Sequence, residues 1–377
     1  MDFNPSPEQQ MLADSLRRFI AERYPLEVRR QLAESAPGYS TEAWLQFASL
    51  GVLGALVDPE AGGYGGSPAD IAVVFEELGR GAVAGPFLAS LMSSRILARI
   101  SDGRCEILLE RIIAGEMIVA FAHQEAKSRY DPSRVETRAM LAGDGWRLTG
   151  AKAVVSHGDA ADQIIVSART SGAAGDEGGI SLFLIPADAT GLSVRGYPGV
   201  DGARSAEVVL QDVWIGSDHL LGPQGGGFEL IEAATGAGML ALCAEALGAL
   251  DVVKDSTAEF LRTRVQFGHP IGSFQALQHR MATLLIEIEQ ARSAVTNAVA
   301  GFAEPRAVRE RALSAAKYTL GRVGALVAEE AIQLHGGIGM TWELPLSHYT
   351  KRLIMLDHQL GDVDYHIERF IALGRAA

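Results

Sequence analysis

Between residues 118 and 224 the sequence leaves helical periodicity and breaks into short runs rich in Val, Ile, Leu and aromatic residues. MIVAFAH, TRAMLAG, GWRLTGAKAVVSH, DQIIVSAR, ISLFLIPA, LSVRGY and AEVVLQDVWI follow one another, separated by turns that carry Gly, Asp and Pro. Short alternating or apolar runs at such close spacing predict a small β-sandwich or barrel. GDGW at 143–146 reads as a hairpin turn inside it.

The flanks have a different period. In residues 1–117, Pro7 after Ser6 marks a helix start, and Leu12, Leu16, Phe19 and Ile20 recur at helical spacing. PEAGGYGGSPAD (59–70) is a Gly/Pro loop that ends in the start of another helix at Pro68. In residues 225–377, Met281, Leu284, Leu285, Ile288, Ala291, Val295, Ala298 and Phe302 form one apolar stripe. Val308, Ala312, Ala316, Leu320, Val323 and Val327 form a second. Helices of roughly 25 residues, about 38 Å long, suit an antiparallel bundle. The expected fold is therefore α+β: an N-terminal helical domain (1–117), a middle β domain (118–224) and a C-terminal four-helix bundle (225–377).

The formal net charge of −13 speaks against nucleic acid or an anionic membrane surface as a partner. Two cysteines, Cys105 and Cys243, build no disulfide framework, and a cytoplasmic setting is the simpler expectation. No signal peptide and no 18-residue apolar span is read from the sequence. Histidine and cysteine spacings match no metal site, and GxSxG, Walker A and a strand-borne GxGxxG are missing. GPQGGGFEL (222–230) reads as a link between the β region and a helix.

Two local patterns carry chemistry. RTRVQFGHPIGSFQ interrupts long helix with two glycines and a proline in six residues. AIQLHGGIGMTWELPL (331–346) ends a helix at Gly336-Gly337. By themselves these glycines suit a helix C-cap, and they also let a ligand approach the backbone closely.

Taken together, the two patterns resemble the C-terminal signatures of the acyl-CoA dehydrogenase family: RxxFGxPIGxFQ, then QLHGGxG with a Pro-containing loop. PEAGGYGGS with FEELGRG, and GAKAVVSHG (150–158), resemble further family segments in the same order. QEAKSRYD (124–131) diverges from the family's TEPGxGSD-like stretch. The resemblance implies FAD as cofactor, bound between subunits. It assigns Arg264 to the pyrophosphate, Phe267 and Gln275 to the adenosine half, and Gln333, Gly336 and Gly337 to the loop that approaches the pyrophosphate. Ser156 would bond the flavin ring near N5, while Val154 stands where the family has tryptophan. Asp362 and Asp364 occupy places of FAD-contacting residues.

The implied reaction is dehydrogenation of an acyl-CoA thioester to a 2-enoyl-CoA, with electrons passed to an acceptor such as an electron-transfer flavoprotein. A carboxylate must take the α-proton. The family's C-terminal base place, counted from the HGG loop, falls in Gln359-Leu360-Gly361 and holds Leu360. The alternative place falls on Gly238. Glu245, two turns further along that helix, is the candidate replacement, with a helix-face salt bridge as its structural alternative; Asp357, Asp362 and Asp364 lie near the lost triplet. Three expectations stay open: a self-sufficient homo-oligomer, a half-site subunit of a heterotetramer with a related chain, or a flavin monooxygenase on the same scaffold.

Overall fold

The computed structural model describes residues 5–376. By internal contacts the chain groups into two compact units, one built on residues 1–29, 68–83 and 239–377 and one on 30–67 and 84–238. The helices are α1 (Pro7–Arg23), α2 (Leu26–Glu34), α3 (Thr41–Ser49), α4 (Pro68–Gly81), α5 (Phe87–Leu97) and α6 (Gly103–Ile113) in the N-terminal part. The entry to α1 is a complete capping box: Ser6 Oγ accepts from the Gln9 amide and the Gln9 side chain accepts from the Ser6 amide.

The second unit is centred on one eight-stranded mixed sheet of β1 (Val119–Ala122), β2 (Arg138–Ala142), β3 (Gly145–Ser156), β4 (Gln163–Arg169), β5 (Ile180–Pro186), β6 (Leu192–Pro198), β7 (Arg204–Gly216) and β8 (Leu220–Leu221). The strand order is β6-β7-β3-β2-β4-β5-β8, with β1 parallel to β4. The seven runs read from the sequence are the seven long strands. GDGW closes the β2–β3 hairpin, with Ala142 opposite Gly145 and Gly143 in a left-handed conformation. Trp146, Leu148, Val155, Ile164, Val166, Phe183, Val208 and Val213 form the apolar core.

At one place the sheet is thin: β2 meets β4 through a single residue pair, Arg138 and Arg169. A buried polar cluster stands beside it. Lys152, fully buried, donates to Glu125 Oε1 (2.7 Å), Ser167 Oγ (3.0 Å) and the carbonyl of His123 (3.2 Å). Glu125 also accepts from the amides of Glu136 and Thr137 just before β2. Burial pulls the Lys152 ammonium down to about 8 in spite of its carboxylate partner. Burial works to raise Glu125, but the Lys152 charge together with the hydrogen bonds from Lys152 and Thr137 makes the net shift downward. The cluster ties the divergent 124–137 segment to β3 and β4 where ladder hydrogen bonds are few.

The first unit is the bundle: α7 (Phe228–Thr263), a two-stranded hairpin of β9 (Val265–Gln266) and β10 (His269–Pro270), then α8 (Gln275–Gly301), α9 (Arg306–His335), α10 (Leu346–Asp357) and α11 (Val363–Ala376). α8, α10 and α11 all pack on α9. The α8 stripe is buried at Leu284, Ile288, Ala291, Val295 and Ala298, but Leu285 turns outward at 43% exposure. In α9 the predicted stripe is buried from Ala312 to Val327, while Val308 is exposed. α7 contains an apolar 18-residue window of mean hydropathy 1.6, which corrects the sequence expectation of none. Because 94% of that window is buried inside the protein, α7 has the character of a core helix.

α1 and α4 join this unit. α4 meets α7 backbone to backbone: a Cβ on Gly79 would run into the carbonyl of Glu245, and one on Gly248 into the carbonyl of Glu76. Around this crossing, Asp251 collects Arg80 (2.5 Å), Arg292 (2.8 Å) and Lys254 (3.1 Å), and Arg80 also holds Glu76 (2.7 Å). The two glycines bring the helix axes close, and the charges around them are mutually neutralised.

Candidate functional site

The interruption after α7 is a tight hairpin. Val265–Gln266 pairs with His269–Pro270, and the two turn residues Phe267 and Gly268 both have positive φ, +55° and +82°. Two positive φ values in a two-residue loop are the hairpin geometry that matches strand twist. Glycine adopts it without cost; a phenylalanine there is strained, of order 1 kcal/mol. The strain thrusts Phe267 into solvent at 90% exposure, with Phe274 edge-on to it at 6.3 Å. Arg264, just before the hairpin, is anchored through its backbone: its amide donates to Phe260 (2.9 Å) and its carbonyl accepts from Ile271 (2.8 Å). Its side chain is exposed and makes no hydrogen bond or ion pair among the described residues. Gln275 is the first residue of α8 and is exposed.

α9 ends at His335, and Gly336 takes φ +67° and ψ −146°, a conformation for glycine. A Cβ on Gly336 or Gly337 would meet nothing within 4 Å, so their backbone faces open space. Gly339, in contrast, turns back onto α9, where a Cβ would sit 2.9 Å from the His335 Cβ and the Ile332 carbonyl. His335 is buried and its Nδ1 donates to the Ala331 carbonyl (2.8 Å). Burial lowers its pKa, so the imidazole is neutral at physiological pH. Its ring stacks on Phe260 in the last turn of α7, centroids 4.4 Å apart and planes 27° apart. That stack joins the end of α7 to the end of α9. It sets the Arg264 turn and the Gly336-Gly337 loop at the same end of the bundle, with exposed Gln333 one turn back on α9. Arg280 to Glu330 (2.6 Å) fastens the first turns of α8 to α9 there. The Gly336 amide is spent on the helix cap, donating to the Gln333 and Ile332 carbonyls, so the guanidinium without a protein partner is the donor here that suits a diphosphate.

Ser156 lies in the other unit, at the end of β3. β3 carries a register shift between Lys152 and Val155, and within it Val154 has φ +54° and is exposed. The Ala153 amide donates to the Gln124 carbonyl (2.8 Å), so the divergent 124–131 stretch runs beside the bulge. Arg129 and Tyr130 in that stretch also have positive φ. Ser156 Oγ is 3.4 Å from Nδ1 of His157, which is itself left-handed and buried. Sequence reasoning picked out Ser156 and Val154 but missed the left-handed conformation of Arg129, Tyr130, Val154 and His157. Nothing in their side chains announces it.

Three stretches of the chain match family models: acyl-CoA dehydrogenase, N-terminal domain, over residues 6–116; middle domain, over 120–213; and C-terminal domain, over 225–368. The long-chain specific mitochondrial acyl-CoA dehydrogenase of Sus scrofa is 30% identical over 353 residues, which is 91% of this chain and 80% of that protein. The chain belongs to the acyl-CoA dehydrogenase family. Among solved structures, the steroid ACAD Tcur3481-Tcur3483 is 28% identical with a TM-score of 0.87, covering 98% of this chain and 99% of that one. The FAD complex of PigA is 25% identical with a TM-score of 0.89, covering both chains fully. FAD is the cofactor of this acyl-CoA dehydrogenase relative. The unpartnered Arg264 guanidinium suits its diphosphate, and no Cβ at Gly336 or Gly337 would obstruct a ligand.

The acids fit less simply. Glu245 is only 8% exposed, and Arg352 of α10 grips both its oxygens, Nε to Oε1 at 2.6 Å and Nη2 to Oε2 at 2.8 Å. A bidentate clamp engages both carboxylate oxygens and fixes the side chain toward α10. The structure thus takes the salt-bridge alternative for Glu245. Leu360, at the lost base place, has φ +56°, and its carbonyl accepts from Nε2 of buried His366 (3.0 Å). Gly361 has to be glycine, since a Cβ would run into the His366 ring. Asp362 caps α11, accepting from the Tyr365 amide (2.9 Å), and Asp364 is exposed in the first turn. Two carboxylates at a helix N-terminus occupy the positive end that would otherwise attract a phosphate. Asp357 is the exception among these acids. Its Oδ1 is buried with no hydrogen-bond partner among the described residues, and burial raises its pKa against the opposing pull of Lys317.

Proposed function

We propose that this chain is one subunit of an FAD-dependent acyl-CoA dehydrogenase built with a second, related chain. It lends the bundle end to a shared FAD site and relies on the partner for the proton acceptor. The observation that carries this reading is the fate of the acids. Leu360 and Gly238 cannot take a proton, and Glu245 is consumed by Arg352. The pair of aspartates at the start of α11 supports it, because negative charge there disfavours a diphosphate on that side of the chain.

In this assembly Arg264 meets the diphosphate with a charge-assisted hydrogen bond, and the Gly336-Gly337 loop lets it approach closely because no Cβ stands in the way. Phe267 and Gln275 border the adenosine side, and Gln333 supplies a polar contact from α9. Bound FAD supplies the acceptor for the β-hydride of the acyl-CoA thioester. The α-proton goes to a carboxylate of the second chain, the product is a 2-enoyl-CoA, and the electrons leave to an external acceptor such as an electron-transfer flavoprotein. The likeness to a steroid ACAD favours a bulky acyl group.

The test is to purify the chain alone and together with related acyl-CoA dehydrogenase chains from the same organism, and to compare flavin content and dye reduction with a panel of acyl-CoAs. Activity and bound flavin should appear only in the pair. Full turnover by the single chain sinks the proposal. A second reading, a self-sufficient homo-oligomer, is favoured by the unsatisfied Asp357 oxygen. In that case Asp357→Asn should abolish the activity of the single chain, since loss of a general base costs about 10²–10⁴ in rate.

A further inference from the structure

Where α7, α9 and α10 meet, the bundle encloses a cavity of about 10 Å³, which admits one water molecule. Its walls are apolar at Ala246, Leu320 and Leu353 and polar at Cys243, Lys317 and Asp357. Asp357, the last residue of α10, lays its carboxylate on the backbone of α9, since a Cβ on Gly321 would run into Asp357 Oδ1. That oxygen is buried and has no hydrogen-bond partner among the described residues. Lys317 is buried one turn before Gly321, on the same face of α9. Its ammonium donates to the carbonyls of Leu356 (2.7 Å) and Asp357 (3.3 Å), a cation set on the C-terminal end of α10. An ammonium carries three N–H groups, so one is left for the cavity. The Cys243 thiol, which burial pushes up to about 12, stays protonated and is a further weak donor.

We infer that this cavity is the binding site of one internal water, which donates to Asp357 Oδ1 and accepts from Lys317, and that the bridge holds the turn between α10 and α11. Three observations carry it. An acceptor lacks a partner, a donor has an N–H to spare, and an enclosed space of one water lies between them. A cavity with apolar walls alone stays dry, whereas unpaired polar groups on its wall make a bound water favourable. The turn in question carries Leu360, at the lost base place. Its far side is tied to the same point of α9, because Val363 at the start of α11 comes within 2.7 Å of where a Gly321 Cβ would stand. The inference is independent of the shared-FAD reading. It gives the Asp357 oxygen a partner inside the bundle, and so takes from the self-sufficient reading the observation that favoured it.

The test compares Ala246→Val with Ala246→Thr in the full-length chain, two side chains of one shape that differ by a hydroxyl. Either fills the cavity and displaces the water. Thr brings an oxygen that can take the water's place, and Val leaves Asp357 Oδ1 unpaired. Urea unfolding should therefore give the Val variant a folding equilibrium constant roughly five- to a hundredfold below that of the Thr variant, the scale of one buried polar atom left unsatisfied. In a dry cavity the buried hydroxyl is the costly group, so equal constants, or Val the more stable, overturn the inference. Amides 358–362 should exchange hydrogen faster in the Val variant than in the Thr variant, and equal exchange removes the hold on the turn. If neither variant folds, a high-resolution crystal structure of the parent chain decides. Density within hydrogen-bond distance of both Asp357 Oδ1 and the Lys317 ammonium supports the site, and an empty cavity sinks it. None of these readouts involves flavin or turnover, so the water site and the shared-FAD reading can fail separately.

Discussion

Arg264 and Glu245 are the two ends of a scale of solvation on one stretch of chain. The arginine is exposed with no partner in the protein; the glutamate is buried with both oxygens taken. Both were candidates from sequence, and only their surroundings separate a group waiting for a ligand from one already satisfied. Arg264→Ala should lower FAD retention in the assembled protein by about ten- to a hundredfold, the scale of one hydrogen bond to a charged group, with the melting temperature unchanged. Equal flavin content after gel filtration of mutant and wild type would remove its role. Asp357 gives a second test. Its folded pKa is raised above the unfolded value, so it contributes stability that is full below the unfolded pKa and is lost as pH rises through the folded one. Asp357→Asn, which resembles the protonated form, should be the more stable protein at pH 7. The gap should close as pH falls toward the ordinary aspartate range. Urea melts at pH 4 and pH 7 measure it, and a mutant less stable at pH 7 contradicts the sign.

At the scale of elements, the seven long strands and the bundle helices were legible because burial of one face leaves a period in the sequence. The α1 start was legible because a capping box is local. What escaped has no period. The parallel pairing of β1 with β4 joins residues more than forty apart. Lys152 occupies a strand position that reads as polar, yet it is in the core, because its partners Glu125 and Ser167 come from other strands and loops. The Arg264 turn and the HGG loop could be matched to a family by motif, but the Phe260–His335 stack that joins them could not be read from either. The contact of α4 with α7 is equally silent in sequence and is open to test. Gly79→Ala inserts a methyl into a backbone carbonyl and should cost about 1–3 kcal/mol or more. Gly337→Ala faces open space and should leave stability nearly unchanged. Thermal melts of the two variants should differ clearly, and matching melting temperatures would disprove the backbone contact.

For the whole molecule, the proposed work is incomplete within one chain: the bundle offers Arg264 toward a diphosphate, while Leu360 and Gly238 stand at the usual base places. Such a chain is expected to gain its chemistry by pairing. Sedimentation of the chain alone and of the co-purified pair should show the flavin band travelling with the mixed species. Flavin bound stoichiometrically to a monomer contradicts that.

The glycine contact between α4 and α7 bears on how such a chain could arise at all. A helix seated by its side chains moves when they are exchanged. α7 is keyed at one point by main-chain contact, Gly79 on Glu245 and Gly248 on Glu76, with a ring of neutralised charges around it. Its register is thus independent of what it carries on its other faces. An ancestral duplicate could trade an acid for Gly238, or tie one down with Arg352, and the frame would not notice. Loss of an active-site group and retention of the fold then become separate events, and division of labour between two copies needs no rebuilding of either.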